Sequence, residues 1–420
     1  MRWLPTAIVM LLVIVGGGLL TLWIADSWSA ARTQGMDPTN PETAALRLDA
    51  VKTALTVAAG LGAGVTLLLA LRRQSINERA QRFAEEDAQE ERITTLYVAA
   101  VEQLGSDKAA VRLGGLYALE RLGDNHPHLR QTVVDVVCAY LRMPFTLAEG
   151  SQDIERRQEQ EVRLTAQHVL ATHLSRPERG AEAAPTWPAL DGRWLKVNLR
   201  GATLLNLELT NASLDELDLT EAQLYGTTRL LRLSVIGQAT LRNAAFHGPA
   251  DFFEARFHAM AWFGGTVFSD NATFRGARFE AYARFVAAKF DGHCDFLKAD
   301  FRASVGFAGA VFGSSVVMSE MTVSGRFDLE HARFRAHARL RRSQFLDNVT
   351  LSDATFSESL DLRGCGFRGD VNVAGARAKQ IEADDGWELS GEPDAEGLRG
   401  IVRVSGSPEA SEPGAVEISR

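Results

Sequence analysis

The sequence predicts two N-terminal transmembrane helices, a small helical domain, and then a long solenoid of very short β-strands. Three observations carry this reading. Two uncharged apolar runs occupy residues 4–25 and 54–71. Helical apolar spacing follows between residues 96 and 141. From Phe246 onward, large apolar residues recur with a period of 11, split into steps of five and six.

Composition sets the outer bounds. A chain of 420 residues is long enough for two or three domains. A net charge of −8 gives no general case for nucleic-acid binding. Cys138, Cys294 and Cys365 are too few and too scattered for a disulfide framework or a zinc site, which fits a reduced compartment. Six lysines stand beside abundant arginine, alanine and glycine, the balance of a bacterial chain from a GC-rich genome.

The first run, "LPTAIVMLLVIVGGGLLTLWIA", is long enough for a helix to cross about 30 Å of hydrocarbon. It exceeds the apolar core of a signal peptide, and a second candidate follows closely. Arg2 precedes the first run, and Arg72, Arg73, Arg79 and Arg82 follow the second, whereas residues 26–49 carry four acids against Arg32 and Arg47. The positive-inside rule then places both termini in the cytoplasm with a short external loop, in a bacterial inner membrane. Membrane lipid is thus an expected partner, through two helices. Gly60 and Gly64 form a GxxxG pair, a pattern also common by chance in Gly/Ala-rich helices.

Residues 74–92 mix both charge signs with few apolar positions and read as a solvated helix. In "AAVRLGGLYALERLG", Val111, Leu113, Leu116, Leu119 and Leu122 largely share one helical face. The segment weakly resembles a HEAT- or armadillo-like hairpin, and "QEVRLTAQHVLATHL" is a second, fainter copy of it. Two copies are fewer than a helical solenoid needs. Asp124-Asn125-His126-Pro127 has the composition of a turn before a helix start, and Asp124 and His168 complete no metal-ligand spacing with His126 and His128. The domains expected are a membrane anchor (1–73), a cytoplasmic helical domain (74–174), a linker (175–194), the repeats (195–380), and a C-terminal cap with an acidic tail (381–420).

The repeats are explicit. Phe246, Phe257, Phe268, Phe279, Phe290, Phe301, Phe312, Val323, Phe334, Phe345, Phe356 and Phe367 form one column. Phe252, Phe263, Phe274, Phe285, Phe296 and Phe307 begin a second, which continues through Met318, Leu329, Leu340, Leu351, Leu362 and Val373. Together they hold 17 of the 21 phenylalanines, so chance does not compete. On a helix, a step of five turns about 140° and would split the columns onto separate faces. Two residues before each column member stands alanine in 13 of 24 cases, and the rest are mostly small or apolar. A large and a small residue two apart share one face of a strand, with a polar residue between them pointing out. Each unit is therefore a minimal strand and a tight turn, with turns alternating in length.

Upstream, Leu199, Leu204, Leu209, Leu214, Leu219 and Leu224 repeat at a strict five. Segments such as "ASLDELDLTEAQL" and "ATFRGARF" resemble the pentapeptide-repeat family, across roughly residues 195–374. The resemblance implies a right-handed quadrilateral β-helix with four short strands per coil. The five-plus-six spacing departs from the family motif and implies coils of about 22 residues, two full periods in each. Residues 227–235 break the register and are expected to form an irregular coil. Cys294 and Cys365 fall at small inward positions and read as core.

Every inward position is taken by packing, so function is expected on the outer faces. No nucleophile–base pair, metal set or phosphate loop stands out, so neither enzymatic activity nor a cofactor is expected. The reading is a membrane-anchored scaffold for an unidentified cytoplasmic protein, with a homodimer left open. A two-span sensor is one alternative. Another comes from the resemblance, since some family members mimic DNA and act on DNA gyrase. Residues 195–380 hold 22 Lys/Arg against 20 Asp/Glu, a net of +2, and DNA mimicry requires strong negative charge. No nucleic-acid partner is expected. Arg333, Arg335, Arg339, Arg341 and Arg342 form a basic run suited to an acidic partner or anionic lipid.

Overall fold

A computed structural model describes residues 4–32, 34, 41–147, 153–175, 187–188 and 190–404. The chain divides into two compact units, Met1–Ile93 and Thr94–Arg420. Helix α1 (Leu4–Arg32) and most of α2 (Pro41–Leu104) make up the first. Among the described residues, one helix is long and apolar enough to cross a membrane. It is the Leu48–Leu104 stretch of α2, whose most apolar window has a mean hydropathy of 2.1. The other expected span, residues 4–25, falls in α1, and the side chains of residues 4–14 lie outside the described residues. So do most of the expected linker and the tail from residue 405.

The second unit begins with the last turns of α2, then α3 (Ala109–Asn125), a 3-10 turn (Pro127–Leu129), α4 (Arg130–Arg142) and α5 (Ile154–Leu174). Asp153 caps α5, accepting the Arg156 N–H at 3.0 Å. Leu116, Leu119, Val133, Val134, Val137 and Leu170 are all buried, since each helix turns its apolar stripe inward.

Residues 196–382 form a β-solenoid of about eight turns with four faces. The first face runs from Lys196–Asn198 through Glu216–Asp218 to Val371–Asn372 as a nine-stranded parallel sheet. The fourth, from Ser213–Leu214 to Gly366–Phe367, has eight strands. The second and third merge into one sheet, because the strand Thr355–Asp361 turns the corner between them without a break. Every pairing inside the solenoid is parallel. Phe246, Phe268, Phe290, Phe312, Phe334 and Phe356 share one register, each opposite its counterpart in the next coil.

That register puts like on like. Phe246, Phe268, Phe290 and Phe312 stack with centroids 4.8, 4.9 and 4.9 Å apart. Phe263 on Phe285 (4.5 Å) and Phe252 on Phe274 (4.7 Å) do the same on other faces. Between faces the rings meet edge-on, as Phe274 meets Phe285 at 5.5 Å and 86°. Both geometries suit the aromatic quadrupole and contribute about 0.5–1.5 kcal/mol per pair beyond burial.

Residues 227–235 do not form the irregular coil expected of them. Thr228 pairs with Ala250 and Val235 with Phe257 in ordinary register. An early coil runs from Leu204 to its partner Leu224, and a later one from Leu224 to its partner Phe246, two positions longer. The two extra residues enter at the corners 224–230 and 235–241, each step there lengthening from five to six. The same two opposite corners keep six-residue steps in every later coil.

The five-residue corners are β-turns. In Phe274–Ala277 the Ala277 N–H donates to the Phe274 carbonyl at 3.0 Å, and Gly276 takes φ +65. The equivalent residue half a coil further on is Ala287 at φ 55, a conformation that an alanine adopts at a cost. Ala287→Gly should therefore raise stability by about 0.5–1 kcal/mol and Gly276→Ala lower it by about 1 kcal/mol. Chemical denaturation of the two variants against the parent reads both signs.

Both ends of the solenoid are closed. At the first coil, Gln131 of α4 accepts the Lys196 N–H at 2.9 Å and donates to the Lys196 carbonyl at 3.0 Å. One side-chain amide thus does what a neighbouring strand would do for an exposed edge. Gln167 of α5 accepts the Leu205 N–H at 3.0 Å, and Arg142 donates to the Asn198 carbonyl at 2.8 Å. Trp187 is 2% exposed, stacks on His173 at 4.2 Å, and donates from Nε1 to Asp124 at 2.8 Å. Gly123 admits it, since a Cβ there would meet Trp187 Cη2 at 2.7 Å. At the far end, Trp387–Ser390 and Arg399–Arg403 pair antiparallel, and the latter also runs antiparallel to Arg377–Glu382. The Trp387 ring lies 5.5 Å from Phe367.

Replacing Gln131 and Gln167 together by alanine strips the first coil of these partners. Stability should fall by about 1–3 kcal/mol. Hydrogen exchange at the Lys196 and Leu205 amides should accelerate selectively, while amides in the middle coils hold their protection.

Candidate interaction surface

The solenoid interior offers no room for chemistry. All the leucines and phenylalanines of the sequence columns point inward, from Leu199 through Phe356, and each is at most 4% exposed. Phe367, in the last coil, is partly exposed. Burial pushes the Cys138 thiol up to about 12 and the Cys365 thiol to about 11, and raises Cys294 as well. Cys365 also donates to the Leu340 carbonyl at 2.9 Å. These are poor nucleophiles at neutral pH. Among the described residues, no group of three or more His, Cys, Asp or Glu is placed to hold a metal. His126 and His128 lie 6.0 Å apart, and Asp124 is occupied by Trp187.

A cavity of about 840 Å³ opens beside α3 and α5, lined by Arg112, Phe145, Glu155 and Glu159 among others. Its central carboxylate is committed. Glu159 Oε2 lies 3.1 Å from Arg112 and accepts from Tyr140 Oη at 2.8 Å, while Oε1 accepts from Arg163 Nε at 2.7 Å. Arg163 also donates to the Leu141 and Met143 carbonyls at 3.0 and 2.8 Å, and its guanidinium sits 4.6 Å over Phe145. This network locks three helices together and occupies both oxygens of the Glu159 carboxylate. It escaped the sequence reading because its members come from three separate segments.

The outer faces remain. Each strand shows one side chain outward and each corner two or three, so residues one coil apart form ladders on the surface too. Many ladders pair opposite charges between coils: Arg278 with Asp300 at 3.1 Å, Arg302 with Glu280 at 3.2 Å, Lys298 with Glu320 at 3.6 Å. On the first face, Trp262 lies between Arg242 and Arg284, with guanidinium carbons 4.6 and 5.5 Å from its ring centroid. This sandwich was legible in principle, since Arg284 follows Trp262 by two full repeat periods. The Trp262 indole nitrogen is buried beneath it without a hydrogen-bond partner.

The five arginines of the basic run encircle part of one coil and are all exposed. Arg333 and Arg335 project from the second face, Arg339 from the third, and Arg341 and Arg342 from the corner beyond. Arg341 reaches Asp361 of the next coil at 3.5 Å. Asp361 is held mainly by Arg363, through contacts of 2.9 and 2.7 Å, and Arg363 also reaches Glu382 at 2.7 Å. Burial pushes the Asp361 carboxyl up, but the Arg363 hydrogen bonds and the charges of Arg363 and Arg341 outweigh it and hold it below the usual range.

Residues 234–278 match a family profile described as Pentapeptide repeats (9 copies). The chain thus carries pentapeptide repeats, and its β-solenoid extends their geometry beyond both ends of the matched stretch. Comparison with curated proteins and with solved structures gave no match.

A carboxyl whose folded value is depressed adds stability above its unfolded value, about 3.9 for aspartate, and loses that contribution as pH falls through the folded value. Asp361→Asn should therefore lower the melting temperature at pH 7. The gap to the parent should begin to narrow below about pH 4. A gap constant down to pH 2 would contradict the assignment.

Proposed function

We propose that this pentapeptide-repeat chain is a non-enzymatic scaffold, anchored in a bacterial inner membrane, that offers its solenoid faces to a cytoplasmic protein. The observation that carries the reading is the division of labour along each strand. Inward positions are spent on stacking, so the only variable chemistry lies on the outer ladders. Capped ends point the same way, because they block growth by edge-to-edge pairing and leave the sides as the available surface. Pentapeptide-repeat solenoids are generally structural or interaction proteins, which agrees. For the anchor, the support is the apolar stretch within Leu48–Leu104, where Leu67 and Leu68 are 61% and 68% exposed, as suits a lipid-facing helix. The arginines that follow it favour a cytoplasmic solenoid.

Photo-crosslinking in cells tests this on the full-length chain. A crosslinking residue is placed in turn at outward positions 256, 273, 311 and 262, one per face, and at Tyr117 in the helical domain. Crosslinks from one or two solenoid faces to a defined protein, recovered in the membrane fraction, are expected. Crosslinks from position 117 alone, or a chain recovered as soluble, would refute the scaffold or the anchor respectively.

A further inference from the structure

The arginine belt differs from the rest of the solenoid surface in one respect: among the described residues, nothing answers most of its charge. From His331 to Leu346 there is no carboxylate, while five arginines fall close together. The coil beneath presents residues 311–319, "VFGSSVVMS", without a single charge, and the Glu320 that follows pairs with Lys298 at 3.6 Å. On the coil above, the carboxylates have partners, and Asp353 lies 3.7 Å from His331. Glu358 pairs with Lys379 at 3.1 Å, and Asp361 with Arg363 and Arg341. Among the described residues, Arg333, Arg335, Arg339 and Arg342 make no ion pair.

We propose that this belt receives an extended acidic segment of a partner protein, with Asp or Glu at alternate positions. The inference rests on the scaffold reading and assigns its face and ligand chemistry. Arg333 and Arg335 flank the inward-facing Phe334, so they project to the same side about 6.6 Å apart, while Arg339 ends the strand on the adjoining face and Arg341 and Arg342 occupy the turn that follows. An extended peptide presents alternate side chains on one side at the same interval. Guanidinium groups bind carboxylates in paired, planar contacts, which rewards that match. The belt also bends around a corner, from the second face to the third through Arg335–His337. A flexible chain can follow such a bend, whereas a flat bilayer meets only the edge. No exposed large apolar residue stands beside the arginines on the coil beneath to insert into lipid; Val311 and Val317 are half-buried. Below the corner the coil presents Gly313, Ser314 and Ser315, which set no charge against a bound carboxylate.

The test uses the full-length chain in nanodiscs of neutral phosphatidylcholine and a fluorescent peptide in which glutamate and serine alternate. Anisotropy should show binding that weakens several-fold as salt screens it. The triple variant Arg333→Glu, Arg335→Glu, Arg339→Glu should bind at least about tenfold more weakly, since reversal adds repulsion to the lost pairing. The control pair Arg256→Glu, Arg275→Glu, on the same solenoid away from the belt, should stay within about twofold. Matching melting curves for both variants would show that folding is intact. Absence of binding by the parent, or equal losses in the control, would overturn the proposal. So would discs that ignore the peptide yet adhere, through these three arginines, to vesicles one-quarter phosphatidylglycerol; the belt would then be a lipid contact. Any of these would leave the scaffold reading standing if crosslinks from other solenoid faces persist.

Discussion

The structure depends on one constraint, the fixed distance between parallel strands. Coils stacked through backbone hydrogen bonds lie about 4.8 Å apart, so each inward side chain meets its counterpart one coil away at that spacing. A phenyl ring is well suited to it. Phe290 lies 4.9 Å above Phe268 and below Phe312, in near-parallel planes. Alanine two residues earlier is the usual complement of a phenylalanine; where the column residue is smaller, as at Leu329, a larger partner such as Phe327 is buried beside it. Where phenylalanine gives way, another apolar residue of comparable reach, such as Met318 or Leu340, continues the ladder.

The ends need a different solution, because a stack of strands terminates in unpaired backbone at both sides. At the start, Gln131, Gln167 and Arg142 meet the first coil with side chains in place of strands. At the finish, a hairpin turns antiparallel and Trp387 covers the last ring. The helical domain is therefore part of the solenoid's own stability, and its packing on the first coil sets where the stack begins. The shared network of Glu159, Arg163 and Tyr140 suits that task, because a loose domain could not hold an edge in register.

How much of this the sequence disclosed follows from how local each signal is. The ladders were legible because a column member is recognised from neighbours two, five and six positions away. The alternating corners could be read for the same reason. Residues 227–235 misled because a register change looks like disorder until the opposing coil is known: Leu224 and Phe246 reveal it only as a pair. The edge-sealing glutamines could not be foreseen, since Gln131 and Lys196 are far apart in the chain and no pattern links them. For the surface, the basic run was visible as a run. What the sequence could not display was that, on the coil above, Glu358 serves Lys379 and Asp361 is held mainly by Arg363.

The placement of the six-residue corners has a further meaning. Because they occupy opposite corners, a shift of half a coil along the chain carries the first face onto the third and the second onto the fourth. The later coils therefore possess an approximate twofold screw axis. The unit of growth is then half a turn, not a whole one. Gain or loss of one such half-turn would keep the ladder spacing while giving residues beside the change new partners, advance the stack by about 2.4 Å, and rotate everything beyond it to the opposite side. A lineage that added or dropped one could re-aim its surface charges while leaving the core untouched.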